Sequence, residues 1–236
     1  MREAGRVTAQ AMQVVQRAIA PGISTQELDK LAETFIISKG AVPSFKGYNG
    51  FPASACISIN EQVVHGIPGN TILREGDIVS VDLGAILDGY HGDMARTFAV
   101  GQISAQAQRL IDVTRECFEV ATRAAIPGNR IGDIGYAVQS LAEGQGYGVV
   151  RDLCGHGIGT QMHEDPEIPN YGRAGRGIRL EAGMVLAIEP MINIGTWKVR
   201  ALPDGWTICT ADGSLSAHHE NTVAVTHGES LLLTAL

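Results

Sequence analysis

The chain repeats itself at long range, and this constrains its architecture more than any single motif. Val14, Arg17, Ala18, Pro21, Gly22 and Gly40 recur as Val120, Arg123, Ala124, Pro127, Gly128 and Gly146, each displaced by 106 residues. The apolar spacing inside the segments recurs as well. Leu28, Leu31, Ala32, Phe35 and Ile36 follow the pattern i, i+3, i+4, i+7, i+8, and so do Ile134, Ala137, Val138, Leu141 and Ala142. That spacing is the buried stripe of an amphipathic helix. Ser24 and Glu27 form a capping box that fixes the start of the first stripe. Pro-Gly before each stripe separates it from a preceding helix. β-branched runs follow: Ile78 to Asp82 after Gly76, and Val185 to Glu189 after Gly183, now displaced by 107. Each half therefore reads as helix, helix, strands. The fold class is α+β, with helices covering one face of a mostly antiparallel sheet. The period is too long for a solenoid. It fits two pseudo-symmetric αβ halves, about residues 1–100 and about 107–226, within a single domain of residues 1–236. Such symmetry gathers equivalent strand ends around one central site, and both equivalent strands are expected to end in an acid.

Those acids carry the chemistry. Asp82 closes the strand in VSVDLGA, and Asp93 follows in GYHGDMART after a turn at Leu87-Asp88-Gly89. A hairpin of that length brings both carboxylates to one place. Taken alone, an acid at a strand end is usually solvated. Glu189 differs, because it sits between MVLAI and Pro190-Met191, where a carboxylate must be paired, protonated or bound to metal. Glu220 lies in HHENTVAV at the mouth of a strand. His156 lies in CGHGIGTQMHEDP, seven residues before His163, and Gly155, Gly157 and Gly159 are expected to let the backbone bend tightly toward a ligand. GHGIG lacks the dinucleotide-binding spacing, and HEDPE is no zincin helix, since the second histidine is missing and Pro166 breaks it. His65 lies in VVHGIPG after a strand-like stretch and shares the tripeptide HGI with His156. Four acids and one imidazole make an oxygen-rich shell that suits a pair of Mn²⁺, Fe²⁺, Co²⁺ or Zn²⁺ ions. A structural zinc site prefers thiolates.

Composition excludes several alternatives. No apolar run approaches the length that spans a bilayer, and the first residues lack the apolar core of a signal peptide, so the chain reads as cytoplasmic. Cys56, Cys117, Cys154 and Cys209 form no C-x-x-C pair and read as reduced, mostly buried thiols. A net charge of −7 without a basic cluster argues against stable nucleic-acid binding.

The stretches GYNGFPASACISINEQVVHGIPG, GDIVSVDLGAILDGYHGDMARTF, CGHGIG, MHEDP, MVLAIEPM, DGWT and SLSAHHENTV stand in this order along essentially the whole chain. Together they resemble the methionine aminopeptidase family, type I. The resemblance implies the pita-bread fold with a metal pair at its centre. It implies two divalent ions (Co, Mn, Fe, Zn or Ni), Asp82 on one, Asp93 and Glu220 bridging both, and His156 and Glu189 completing the other. By the same resemblance His65 and His163 are substrate-facing catalytic histidines and Glu189 a candidate proton shuttle. Phe45, Tyr48, Phe51, Cys56, Met162 and Trp206 fall where the family lines its methionine pocket. Phe45 and Met162 occupy pocket positions where relatives can carry other residues, which leaves the side-chain preference open. The implied reaction is removal of the initiator methionine from nascent polypeptides by a hydroxide bridging both ions, with a small penultimate residue. The implied setting is a monomer acting near the ribosome. The chain begins later than family members usually do, which reads as a trimmed or naturally short N-terminus of the short bacterial form. A prolidase or proline aminopeptidase on the same fold is the nearest rival, and those relatives usually carry an extra N-terminal domain.

Overall fold

The computed structural model describes residues 1–236. Helices α1 (Arg2–Ala18) and α2 (Thr25–Ser38) precede strands β1 (Val42–Pro43), β2 (Ala55–Ile59), β3 (Gln62–Val64), β4 (Ile78–Leu87) and β5 (Tyr90–Ala99). Helices α3 (Ala105–Ala124) and α4 (Ile131–Gly144) precede the short strands β6 (Gly148–Val149), β7 (Gly155–Gly157), β8 (Glu164–Ile168), β9 (Val185–Ile188) and β10 (Met191–Asn193). Strands β11 (Val199–Ala201), β12 (Ile208–Thr210), β13 (Ser216–His218), β14 (Asn221–Ala224) and β15 (Leu231–Leu232) complete the chain. Every strand pairing is antiparallel. Strand β4 carries β1, β2 and β5, while β15, β14, β9, β7 and β8 lie side by side in a second large sheet.

Local chemistry explains the elements. The Ser24 hydroxyl accepts from the Glu27 amide and the Glu27 carboxylate accepts from the Ser24 amide, the reciprocal cap expected from the sequence. The glycines one repeat apart adopt matching left-handed backbones, with φ of 98° and 94° at Gly22 and Gly128 and of 91° and 102° at Gly76 and Gly183. Asp88 and Gly89 both have positive φ, 51° and 79°, as a two-residue hairpin between right-twisted strands requires.

Strand periodicity then sorts the side chains into two faces. Val79, Val81, Leu83 and Ala85 of β4 pack in one core with Val7, Met12 and Val15 of α1 and Leu28 and Ile36 of α2. Leu186 and Ile188 of β9, Ala217 of β13 and Val223 of β14 pack in a second core with α3 and α4. The alternate positions face away from the helices, and among them are Asp82, Asp93, Glu189, His218 and Glu220. One correction concerns Asp82. It does not end its strand but lies midway along β4, which continues to Leu87. Glu189 does follow directly on the end of β9. The two large sheets meet where the Glu220 amide donates to the Ala95 carbonyl at 2.9 Å and the Ala95 amide to the Glu220 carbonyl at 3.4 Å.

Helix α1 lies unusually close to β5. A methyl group on Gly92 would stand 2.8 Å from the Gly5 Cα, and Thr8 donates to the Gly92 carbonyl at 3.2 Å. Backbone cannot yield there as a flexible side chain can. Gly92→Ala is therefore expected to lower the unfolding free energy by about 2 kcal/mol. Urea unfolding checks this, and an unchanged midpoint would refute the tight approach of α1.

Candidate metal centre

All thirteen side chains singled out by the sequence line one cavity of about 200 Å³, joined only by Asn49. The register explains how the two aspartates meet. Asp82 pairs across the hairpin with Ala95 and Asp93 with Gly84, so the carboxylates are diagonal neighbours on one face. His156 pairs with Ala187 on β9, two residues before Glu189 on the same face. Ligand atoms of Asp93, His156 and Glu220 lie within 4.8 Å of one another. Asp82 and Glu189 line the same cavity without joining that compact group. His156 Nε2 is 3.8 Å from Asp93 Oδ2 and 3.8 Å from Glu189 Oε1.

Electrostatically this arrangement is unbalanced. Burial, followed by repulsion from Asp93 and Glu189, pushes Asp82 well above the usual carboxylate range. Burial and then Asp93 do the same to Glu189. Burial raises Glu220 too, reinforced by the other three acids and partly opposed by Arg96. Asp93 is raised to about 7, chiefly by burial. His156 is pushed down to about 4 by burial and by His163, which leaves a neutral imidazole able to ligate. Asp82 Oδ1, Asp93 Oδ1 and Glu220 Oε1 are buried without any hydrogen-bond partner. Buried oxygens of this kind need a proton or a cation. Mutual distances under 4.8 Å suit an ion held by bonds of about 2 Å. The residues thus fit divalent metal. Because protons and ions compete for the same oxygens, ion affinity is expected to rise with pH.

The opposite wall is apolar. Phe45, Phe51, Cys56 and Met162 form a small buried cluster, with Tyr48, Trp206 and Ile67 packed against it. Trp206 stands edge-on to Phe51 at 5.1 Å between ring centroids. Its turn is held by Asp204, whose Oδ1 accepts from the amides of Trp206 and Thr207 at 2.9 Å each. His163 stacks on Tyr48, whose hydroxyl is 2.8 Å from His163 Nδ1, and lies 4.1 Å from the His156 ring. His65 follows β3 with a left-handed backbone, φ 59°, between the end of that strand and Gly66. Gly66 is clamped on β2, its carbonyl accepting from Ile57 at 2.8 Å and its amide donating to Ser58 Oγ at 3.1 Å. Burial, then His163, holds His65 below the ordinary imidazole range.

The glycines beside His156 serve a different purpose from the bend expected of them. Gly155 and Gly157 lie in extended strand β7, where a Cβ would strike the carbonyl oxygens of Ala187 and Asp165 respectively. They permit close strand packing. Other residues around the centre escaped the sequence reading. Thr222 Oγ1 accepts from the Asp93 amide at 2.9 Å and donates to its carbonyl at 3.1 Å. Asn170 donates to the Glu189 carbonyl at 3.0 Å. Arg96 donates to the carbonyls of Ala95 and Glu220 and to Asn221 Oδ1. His218 lies buried between Glu189 and Glu220, its imidazole pushed down to about 3 by burial first. The doubled histidine in HHEN was the available signal for His218, and period-two spacing from Glu220 was the signal for Thr222.

Comparison with known proteins follows the same line. Residues 1–227 match the model of metallopeptidase family M24. The chain is 56% identical to the methionine aminopeptidase of Clostridium acetobutylicum over 99% of its own length and 94% of that protein. It is 51% identical to methionine aminopeptidase 1 of Bacillus subtilis, again over 99% and 94%. The crystal structure of methionine aminopeptidase from Rickettsia prowazekii superposes with a TM-score of 0.98 at 43% identity, covering 99% of this chain and 95% of that one.

Proposed function

This chain belongs to the methionine aminopeptidases of metallopeptidase family M24, and we propose that its central cavity is where it removes the initiator methionine from nascent polypeptides. One observation carries the reading: a single cavity joins two buried carboxylates, Asp93 and Glu220, two partly buried ones, Asp82 and Glu189, and an imidazole to an apolar, sulfur-bearing wall. Asp82, Asp93, His156, Glu189 and Glu220 would hold two divalent ions, with Asp93 and Glu220 shared between them. Co, Mn, Fe, Zn or Ni suit such donors. When bound, such ions would supply Lewis acidity for the scissile carbonyl and would lower the pKa of bound water to about 7, making hydroxide available at neutral pH.

The chain's own groups do the rest. Phe45, Tyr48, Phe51, Cys56, Met162 and Trp206 receive the methionine thioether, which packs well on aromatic edges and sulfur. The Tyr48 hydroxyl occupies His163 Nδ1, leaving Nε2 to donate to the developing oxyanion. His65 contacts the amide nitrogen that leaves. Glu189 passes a proton from the water toward that nitrogen. The substrate's free amino group lies toward Asp82, which limits cleavage to the first residue. By likeness to the family, the second residue is small. On this reading residues 1–236 act as one catalytic domain and as a monomer in the cytoplasm. No helix is long and apolar enough to cross a membrane.

Release of methionine from Met-Gly-Met-Met by the chelated protein, titrated in turn with Mn²⁺, Fe²⁺, Co²⁺ and Zn²⁺, tests this. Ion-restored release is expected. Release that survives chelation, or no release with any ion from a folded protein, would overturn it.

A further inference from the structure

We propose that His218 is a positioning residue for the ion-binding carboxylates: its Nε2–H holds Glu189 Oε2, so that Oε1 is the oxygen directed at His156. The proposal rests on the functional reading above. His218 is 2% exposed, and neither ring nitrogen has a hydrogen-bond partner. An imidazole placed there only to fill space would be a poor choice, because an apolar side chain fills a core without stranding two nitrogens. The main chain that carries the ring is held in place. The His218 amide donates to Thr97 Oγ1 at 2.8 Å, that hydroxyl lies 3.0 Å from the His218 carbonyl, and β13 pairs His218 with Met191, two residues beyond Glu189. So held, Nε2 lies 3.5 Å from Glu189 Oε2 and 4.0 Å from Glu220 Oε2. Ion binding requires both carboxylates ionised. A ring lone pair facing two carboxylates would be repelled, so Nε2 carries the hydrogen and is placed to donate to Glu189 once the carboxylates are ionised. Glu189 is thereby divided, with Oε2 turned to His218 and Oε1 at 3.8 Å from His156 Nε2. Outer partners that orient ligating carboxylates commonly contribute ten- to a hundredfold in metal affinity.

The test compares His218→Leu and His218→Gln with the parent chain. Mn²⁺ is titrated calorimetrically into each chelated protein, and the thermal midpoint of each ion-free protein is recorded. His218→Leu is expected to bind Mn²⁺ roughly tenfold or more weakly, while its ion-free midpoint equals or exceeds that of the parent. His218→Gln, whose amide N–H can donate from a similar place, is expected to stay within roughly threefold of the parent. Parent-like Mn²⁺ binding by His218→Leu overturns the proposal. So does weakened binding in both variants with a matching fall in ion-free midpoint, since that pattern marks a packing role. A parent chain that takes up no Mn²⁺ overturns the functional reading instead, and this is seen before any variant is made.

Discussion

Asp93→Asn is expected to lose the two-ion centre, and with it at least a thousandfold in kcat/KM, an order of magnitude in keeping with removal of a group that acts as part of a unit. The substitution is nearly isosteric, so the fold should survive. Thr222 grips the Asp93 backbone and not its side chain, and those two hydrogen bonds remain. What changes is the donor chemistry. One negative charge disappears, and an N–H₂ group that cannot ligate replaces one of two oxygens in a group whose ligand atoms lie within 4.8 Å. Asp93 is the acid proposed to be shared between the ions, so both should suffer. Calorimetric titration with Mn²⁺ beside the methionine-release assay decides the matter. Stoichiometric tight binding of two ions by Asp93→Asn would show that the shared-ligand assignment is wrong.

The same variant has a signature in the absence of ions. Asp93 holds its proton to about 7 in the folded chain, whereas an unfolded aspartate releases it near 4. Between those values the folded state binds more protons, so stability falls as pH rises through the window. The carboxamide of the variant cannot titrate. The ion-free variant should therefore show a flatter dependence of its urea midpoint from about pH 4 to about pH 7 than the parent.

Much of the framework was legible in the sequence because it follows from local chemistry. Asp88-Gly89 announced the β4–β5 hairpin, since both positions need left-handed backbone, and the hairpin sets Asp82 diagonally to Asp93. Ser24 and Glu27 announced the start of α2 in the same way. Tertiary facts were less accessible. An acid interrupting VSVDLGAIL reads as a strand end, yet β4 runs through it because only its other face packs on helices. Gly155 and Gly157 read as a bend, but carbonyls from β9 and from the Glu164–Ile168 strand demand their smallness. His218 Nε2 comes within 3.5 Å of Glu189 Oε2 across strands, and no spacing along the chain discloses that approach.

His65→Ala is expected to keep both ions and lose turnover, by roughly a hundredfold or more, the scale of a positioned hydrogen-bonding or proton-transferring group. His65 lines the cavity but stands outside the compact donor group, its ring edge-on to Trp206 at 6.4 Å. Its backbone complicates the experiment. At φ 59° a histidine is already in a costly region, and alanine inherits that strain. His65→Gly supplies the control, because glycine adopts positive φ freely. If strain were the cause, His65→Gly would recover activity that His65→Ala had lost. If the imidazole is needed, both fail alike in kcat while Mn²⁺ stoichiometry stays at two. Loss of ions in parallel with turnover would place His65 among the ligands and remove it from the leaving-group side of the reaction.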